Sequence, residues 1–302
     1  MDELQKLYFP RANVRGQTVA IHESLQAALA AQDLPAAAKR FAGEAACATL
    51  LAAAALQFDG AVLLQIEGDG PVRLLVVEVR PDSGYRVMVK MRDDFVAGSL
   101  ADDASMQTLV NASGRGRCAL ILDMRGRSRD EQPYQGVVAL EGKNLGEALE
   151  AYFRQSEQVE TVIRLAADDK AAGGVMLQKM PVTGGKDIED YDPEGWNRLK
   201  LFVDTVKADE LLTLSPEDVN RRLFWEESPL VVGQATPQFR CACSDERFAA
   251  IVRSLGREEV ESILAERGQV EIACRFCGRK KVFDKIDVEA IFAGASGAPA
   301  QA

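Results

Sequence analysis

Four cysteines in the last quarter of the chain constrain this sequence more than anything else in it: Cys241-Ala-Cys243 and Cys274-Arg-Phe-Cys277-Gly278, with thirty residues between the pairs. Zinc in structural sites takes four ligands tetrahedrally, and two short-range pairs supply them because each tight turn points two sulfurs at one place. The second pair has the usual x-x spacing with a glycine free to adopt positive φ just past the ligand, while the first pair is tighter. The expectation is one Zn2+ per reduced chain on Cys241, Cys243, Cys274 and Cys277. Four thiolates close the coordination shell, which disfavours a zinc enzyme and makes a purely structural metal the default. Two features point further. Arg240, Arg275, Arg279, Lys280 and Lys281 flank the ligands and are expected to favour thiolates, leaving displaced sulfurs nucleophilic and oxidisable. Each pair could also close on itself as a disulfide once the metal leaves. Structural zinc contributes on the order of 10 to 16 kcal/mol to a small module, whereas two such short loops return only about 3 to 4 kcal/mol on the chain-entropy formula. Oxidation is therefore expected to unfold the module.

The rest of the composition narrows the partners. In 302 residues a formal charge of −10, with pI near 4.9 and no strong Lys/Arg stripe, opposes a phosphate backbone, so no nucleic acid is expected. The run Met1 to Arg15 lacks the apolar core of a signal peptide, and Ala45 to Leu56 is too short to span a bilayer. These readings predict a cytoplasmic protein with no membrane partner. Cys47 and Cys118 lie in apolar segments and read as core thiols. His22 is the single histidine and has no catalytic motif around it. Glu67-Gly68-Asp69-Gly70-Pro71 lacks the lysine and helix start of a phosphate loop and reads as a hairpin turn, and Glu226-Glu227 reads as a solvated face. No enzyme is expected.

The periodicity predicts an α+β protein, with a mostly antiparallel-sheet core domain carrying helices, a helical metastable linker and a small four-cysteine module. Thr18 to Leu56 reads as two helices broken at Pro35. Strands are expected at Ala61–Ile66, Arg73–Val79, Arg86–Met91, Arg117–Asp123, Tyr134–Leu140, Thr161–Ala166 and Gly174–Met180, with an amphipathic helix over Asn144–Ser156. The core domain is assigned to residues 1–183. Gly184-Gly185 and the acidic run Asp187–Asp192 open an amphipathic helical linker over 184–238, with Trp196, Leu199, Val203 and Val206 on one stripe. In it, Ser215-Pro216-Glu217-Asp218 starts a second helix carrying Val219, Leu223 and Phe224. The zinc module occupies 239–293, with helices stopped at Gly256 and Gly268, a strand into Cys274 and another through Val282 and Phe283. Residues 294–302 read as a frayed tail.

These residues carry a specific likeness: Cys241-Ala-Cys-Ser with Glu246-Arg247, Glu259-Val-Glu-Ser-Ile-Leu-Ala-Glu266, and Cys274-x-x-Cys-Gly278. Across the chain it extends to Val14-Arg15-Gly16, Phe58-Asp59-Gly60, Gly68-Asp69-Gly70-Pro71, Tyr134-Gln-Gly-Val-Val138, Tyr152-Phe153, Ser156-Glu-Gln158, Ala172-Gly-Gly174 and Glu210-Leu-Leu-Thr-Leu214. The chain resembles the bacterial redox-regulated chaperones called the thirty-three-kilodalton heat-shock protein family. That resemblance implies an ATP-independent holdase of the stress response, inactive when reduced and zinc-bound and activated by hypochlorite, or by peroxide with heat. It implies pairing of Cys241 with Cys243 and of Cys274 with Cys277, zinc release, linker unfolding, a homodimer when oxidised, and unfolded proteins as clients. Trp196, Phe202, Leu223 and Phe224 are then candidates for client contact, since linker helices that lose a packing surface expose them. The alternative is a zinc-ribbon adaptor that binds one folded partner irrespective of redox state.

Overall fold

The computed structural model describes residues 2–56, 59–96, 98–124, 134–181 and 190–293. The chain divides into two compact units, Met1–Arg240 and Cys241–Ala302. In the first, β1 (Glu3–Phe9) and β2 (Val14–Ile21) lead into α1 (Glu23–Leu29) and α2 (Ala36–Ala55). Then come β3 (Gly60–Glu67), β4 (Val72–Val79), β5 (Gly84–Met91), α3 (Met106–Val110), β6 (Arg117–Met124), β7 (Tyr134–Val138), α4 (Leu145–Ser156), β8 (Thr161–Ala167) and β9 (Ala172–Lys179). The segment that follows holds α5 (Gly195–Asp204), α6 (Ala208–Thr213), α7 (Pro216–Phe224), β10 (Leu230–Ala235) and β11 (Gln238–Phe239).

Two sheets result, ordered β10-β1-β2-β9-β8 and β11-β5-β4-β3-β6-β7, antiparallel except where β11 runs parallel to β5. The Ala-rich α2 packs on strands of both sheets and is buried over most of its length, so small side chains are needed on nearly every face. The α+β class and the antiparallel pairing match the reading of the sequence, and the Gly68-Pro71 stretch is the β3–β4 connection. There Asp69 accepts from the backbone N–H groups of Ser113 and Arg115 at 3.1 and 2.9 Å, a structural use of that motif.

Several stretches differ from expectation, among them Met106–Val110, a short helix to which the sequence reading assigns no element. Thr18–Ile21 is strand rather than helix: β2 lies between β1 and β9 and is buried on both faces, so Val19-Ala20-Ile21 runs apolar without the alternation that marks a strand. The sequence reading assigns no element to Glu3–Phe9, which is β1. The linker stretch read as helical ends in two strands, and β10 pairs with β1 from Leu4↔Ala235 to Tyr8↔Leu230. The acidic run and Gly184-Gly185 lie largely outside the described residues, as do Phe58 and the tail beyond 293.

One buried carboxylate ties pH to stability. Burial raises Glu44 on α2 from 4.5 to about 7, against the opposing pull of Arg40, 3.6 Å away. A folded-state value above the unfolded one means the fold favours the protonated acid, so stability is full below about 4.5 and falls as pH rises toward 7. Glu44→Gln is expected to raise unfolding free energy by about 3 kcal/mol at pH 8 and by little at pH 4.5. Urea midpoints of the two proteins across that range check it, and a pH-independent gap would refute it.

Candidate functional site

The second unit is built from α8 (Asp245–Leu255), α9 (Arg257–Arg267), the hairpin of β12 (Val270–Ala273) and β13 (Lys280–Phe283), and α10 (Lys285–Ala293). Ser244 caps α8 by accepting from the Arg247 N–H at 3.3 Å. Its core is small: Phe248, Val252, Val260, Val270, Phe283 and Val288 are buried, with Cys243 and Cys274 packed against them. The β12–β13 turn forms a knuckle in which the Gly278 N–H donates to the Cys274 carbonyl and the Cys274 N–H to the Arg279 carbonyl, both at 2.8 Å. Gly278 sits at φ 70°, where a side chain would be strained.

This knuckle and the Cys-Ala-Cys segment bring all four cysteines together. The four sulfurs lie within 4.8 Å of one another, Cys241 Sγ being 3.5 Å from Cys274 Sγ and Cys243 Sγ 3.3 Å from Cys277 Sγ. Such a cluster is compatible with a metal ion, and no other group of three or more potential ligands occurs among the described residues. Cys47 and Cys118 are buried away from it in the first unit, where burial pushes the Cys47 thiol far up and the Cys118 thiol to about 12.

Four of the five cations expected to favour thiolates are engaged by carboxylates. Arg279 and Lys281 both bind Asp245, at 2.6 and 3.1 Å, Lys280 binds Glu271 at 2.8 Å, and Arg240 binds Asp82 at 2.7 Å, so their charge is largely met by carboxylates. Burial pushes the Cys241, Cys243 and Cys277 thiols up. At Cys274 burial acts the same way, but the backbone N–H groups of Cys277 and Phe276 bring that thiol below its ordinary value.

The other residues singled out from sequence lie together in the first unit. Trp196, Leu199, Val203, Leu211, Val219, Leu223 and Phe224 form one cluster with Leu7, Phe9, Val14, Val162, Val175 and Leu177 of the five-stranded sheet, and Phe202 packs partly buried against it. The Phe224 ring meets Phe9 edge-on, centroids 5.1 Å apart at 77°. The partner of the linker helices' apolar face is thus the sheet of their own unit. Polar ties that sequence reasoning missed hold the same helices: Thr18 donates to Asn220 at 2.5 Å and Asn220 to Gln5 at 3.0 Å, all buried, while Arg198 bridges Asp192 and Glu227. The Ser215 cap, Pro216 and the first-turn acids Glu217 and Asp218 are the local signs that mark where α7 begins, and the structure bears them out.

Gly173 sets how closely α6 can sit. A Cβ there would lie 2.1 Å from the Leu211 carbonyl oxygen, so Gly173→Ala must push the α6 backbone off β9. The expected cost is about 1 to 3 kcal/mol, appearing as faster hydrogen exchange in α5–α7 with β3–β6 unchanged; uniform protection would contradict it.

The fold and the cysteine cluster together define a class: a two-unit α+β protein with four clustered cysteines on its small unit and a docked helical segment on its large one. The sequence model of the Hsp33 protein family matches residues 2–284. The chain is 39% identical over 291 residues to the 33 kDa chaperonin of Chromobacterium violaceum, covering 96% of this chain and 94% of the relative. It is 37% identical over 298 residues to the 33 kDa chaperonin of Nitrosococcus oceani, covering 99% and 96%. The chain belongs to the Hsp33 family. The crystal structure of the 33 kDa chaperonin from Thermotoga maritima has the same fold, with a TM-score of 0.79 at 21% identity over 98% of this chain and 99% of that one. The relatives' name is that of a chaperone rather than of an enzyme, and among the described residues no helix is long and apolar enough to cross a membrane.

Proposed function

We propose that this protein is a redox-regulated, ATP-independent holdase of the cytoplasm, silent while its four clustered thiolates hold one Zn2+ and active once they are oxidised. The observation that carries the reading is the approach of Cys241, Cys243, Cys274 and Cys277 within 4.8 Å on a unit with only six buried apolar side chains among its described residues. The donor set fits zinc. Four thiolates at a bond length of about 2.3 Å around a tetrahedral centre stand roughly 3.8 Å apart, between the shortest contact, 3.3 Å, and the 4.8 Å limit found here. Zinc bound there would supply cross-linking of the two cysteine segments.

Oxidation removes the ligands. Each pair of thiolates gives two electrons to an oxidant such as hypochlorite or peroxide and joins as a disulfide. Cys241 with Cys243 and Cys274 with Cys277 are the favoured pairs, because the shortest loops have the highest effective sulfur concentration. The cross-pair approaches of 3.5 and 3.3 Å do not compete with this, since a tetrahedral cluster holds all its sulfurs close and oxidation dissolves the cluster. On this reading α5–α7 also leave the five-stranded sheet in the oxidised chain, exposing Trp196, Phe202, Leu223 and Phe224 to unfolding clients, and the oxidised chains pair as a homodimer.

The test is light scattering of a heat-unfolding client with reduced and oxidised protein, alongside zinc release and disulfide mapping. Protection only after oxidation, one zinc released per chain and two local disulfides are expected. Equal action in reductant would support an adaptor with a structural zinc, and cross-pair disulfides in the active form would overturn the pairing.

A further inference from the structure

The inner face of the five-stranded sheet changes character where α2 ends. Along most of its length this face is apolar and covered by α2, but past Ala55 it carries Lys6 and Tyr8 of β1 beside Arg15 and Gln17 of β2. Register places Lys6 opposite Gln17 and Tyr8 opposite Arg15, and alternation along each strand sets all four on one side. They line a cavity of about 480 Å3 whose apolar wall includes Leu56, Met180 and Val232. A second cavity of about 400 Å3 shares Lys6, Leu56 and Val232 and adds Arg80. Gly233 faces Lys6 across β10, so no side chain fills the space beside the ammonium.

Two features mark this cleft as more than a packing gap. Its charge runs against that of the chain: in a protein of net charge −10, the described lining of both cavities holds Lys6, Arg15 and Arg80 and no carboxylate. Arg80 reaches Glu78 at 3.2 Å, but Lys6 and Arg15 have no carboxylate partner among the described residues. Arg15 is half-buried and donates to the Ala55 carbonyl at 2.6 Å and to Gln178 at 2.9 Å, neither of which neutralises it. The second feature is Gln17. It is 97% buried by its 3% exposure, its carbonyl oxygen is fully enclosed, and its amide makes no hydrogen bond among the described residues. A buried carbonyl left without a donor costs free energy that a ligand N–H would recover.

We propose that this cleft binds the C-terminal residue of a peptide with an apolar side chain. The carboxylate lies between Lys6 and Arg15, a rotation of the Gln17 side chain turns its enclosed carbonyl into the cleft to accept from the last peptide N–H, and the apolar side chain rests on Leu56, Met180 and Val232. A fatty acid shares the carboxylate and the apolar body but lacks the N–H that Gln17 calls for, which separates the two sources. The site lies wholly within the first unit and requires no oxidation.

The test uses full-length, reduced, zinc-loaded protein, titrated calorimetrically and by amide NMR with N-acetyl-leucyl-leucine, its C-terminal amide and octanoate. Saturable one-site binding of the peptide acid is expected, with the amide at least roughly tenfold weaker and shifts centred on Tyr8, Gln17 and Met180. Because Arg15 also holds the end of α2, the decisive variants are Lys6→Gln and Gln17→Leu, each expected to weaken the acid by roughly five- to tenfold. Absence of saturable binding, equal affinity for acid and amide, unaltered affinity in both variants, or shifts elsewhere would overturn the site. Octanoate binding as tightly as the peptide acid would overturn the peptide assignment.

Discussion

Changing Cys274 and Cys277 together to serine is expected to abolish the fold of residues 241–293 while leaving the first unit intact. Six buried apolar side chains are too few to hold a module of this size without a cross-link, and the metal supplies on the order of 10 kcal/mol or more. Zinc content should fall from one per chain to none. NMR dispersion should vanish for Phe248, Val260 and Phe283 but persist for Val62, Leu64 and Val77 of the large core. A dispersed, zinc-free second unit would show that its apolar core suffices, and the coupling of metal to fold would then be lost. A chelator acting on the unaltered protein should give the same spectrum.

The second large effect belongs to Phe224. Its ring is fully buried at the end of α7, edge-on to Phe9, in the cluster that fixes α5–α7 to the sheet. Phe224→Ala removes that contact at a cost of about 3 to 5 kcal/mol, and replacing Leu223 with a polar residue should act in the same direction by about 2 to 4 kcal/mol. Because these helices are too short to persist undocked, the loss should fall on α5–α7 together as local unfolding rather than on the whole unit. The expected readout is rapid hydrogen exchange from Trp196 to Phe224 in reductant, with zinc still bound and with client protection now visible. If the helices exchange rapidly and no client is protected, linker release is not the activating event. If they stay protected, Phe224 is not what holds them.

What could be read in advance follows the distance over which each feature is determined. The cysteine cluster was legible because two tight turns and Gly278 fix their ligands within a few residues, leaving a single long-range pairing to infer. The hairpins from β3 to β5 were legible because alternation and turn residues are local as well. Strand β1 was not, although it forms a local hairpin with β2, because β2 itself reads as helix from Thr18 on. Nor was β10, since its partner β1 lies at the opposite end of the chain, as Tyr8↔Leu230 shows. The cations around the thiols misled for the same reason. Sequence adjacency put Arg279 and Lys281 beside Cys277, but their charge is settled by Asp245, thirty-odd residues away and invisible as a partner until the fold brings it near. Asn220 reads as an ordinary polar residue on a helix, yet Thr18 and Gln5 make it a buried anchor.

The pairing of β10 with β1 has a kinetic consequence. The helical segment leaves the sheet at the end of β9 and returns to it at β10, so its two ends are fixed to the same five-stranded sheet. As long as β10 stays in place, released helices form a closed loop of roughly fifty residues rather than a free arm, and rejoining the sheet is an intramolecular event at an effective concentration near the millimolar range. Redocking then outpaces capture by dilute clients, so a client must be present in bulk, or the helices must be kept from refolding, for it to be held. On the proposed reading, client release would then need no separate ejection step: redocking of the tethered helices alone would displace it.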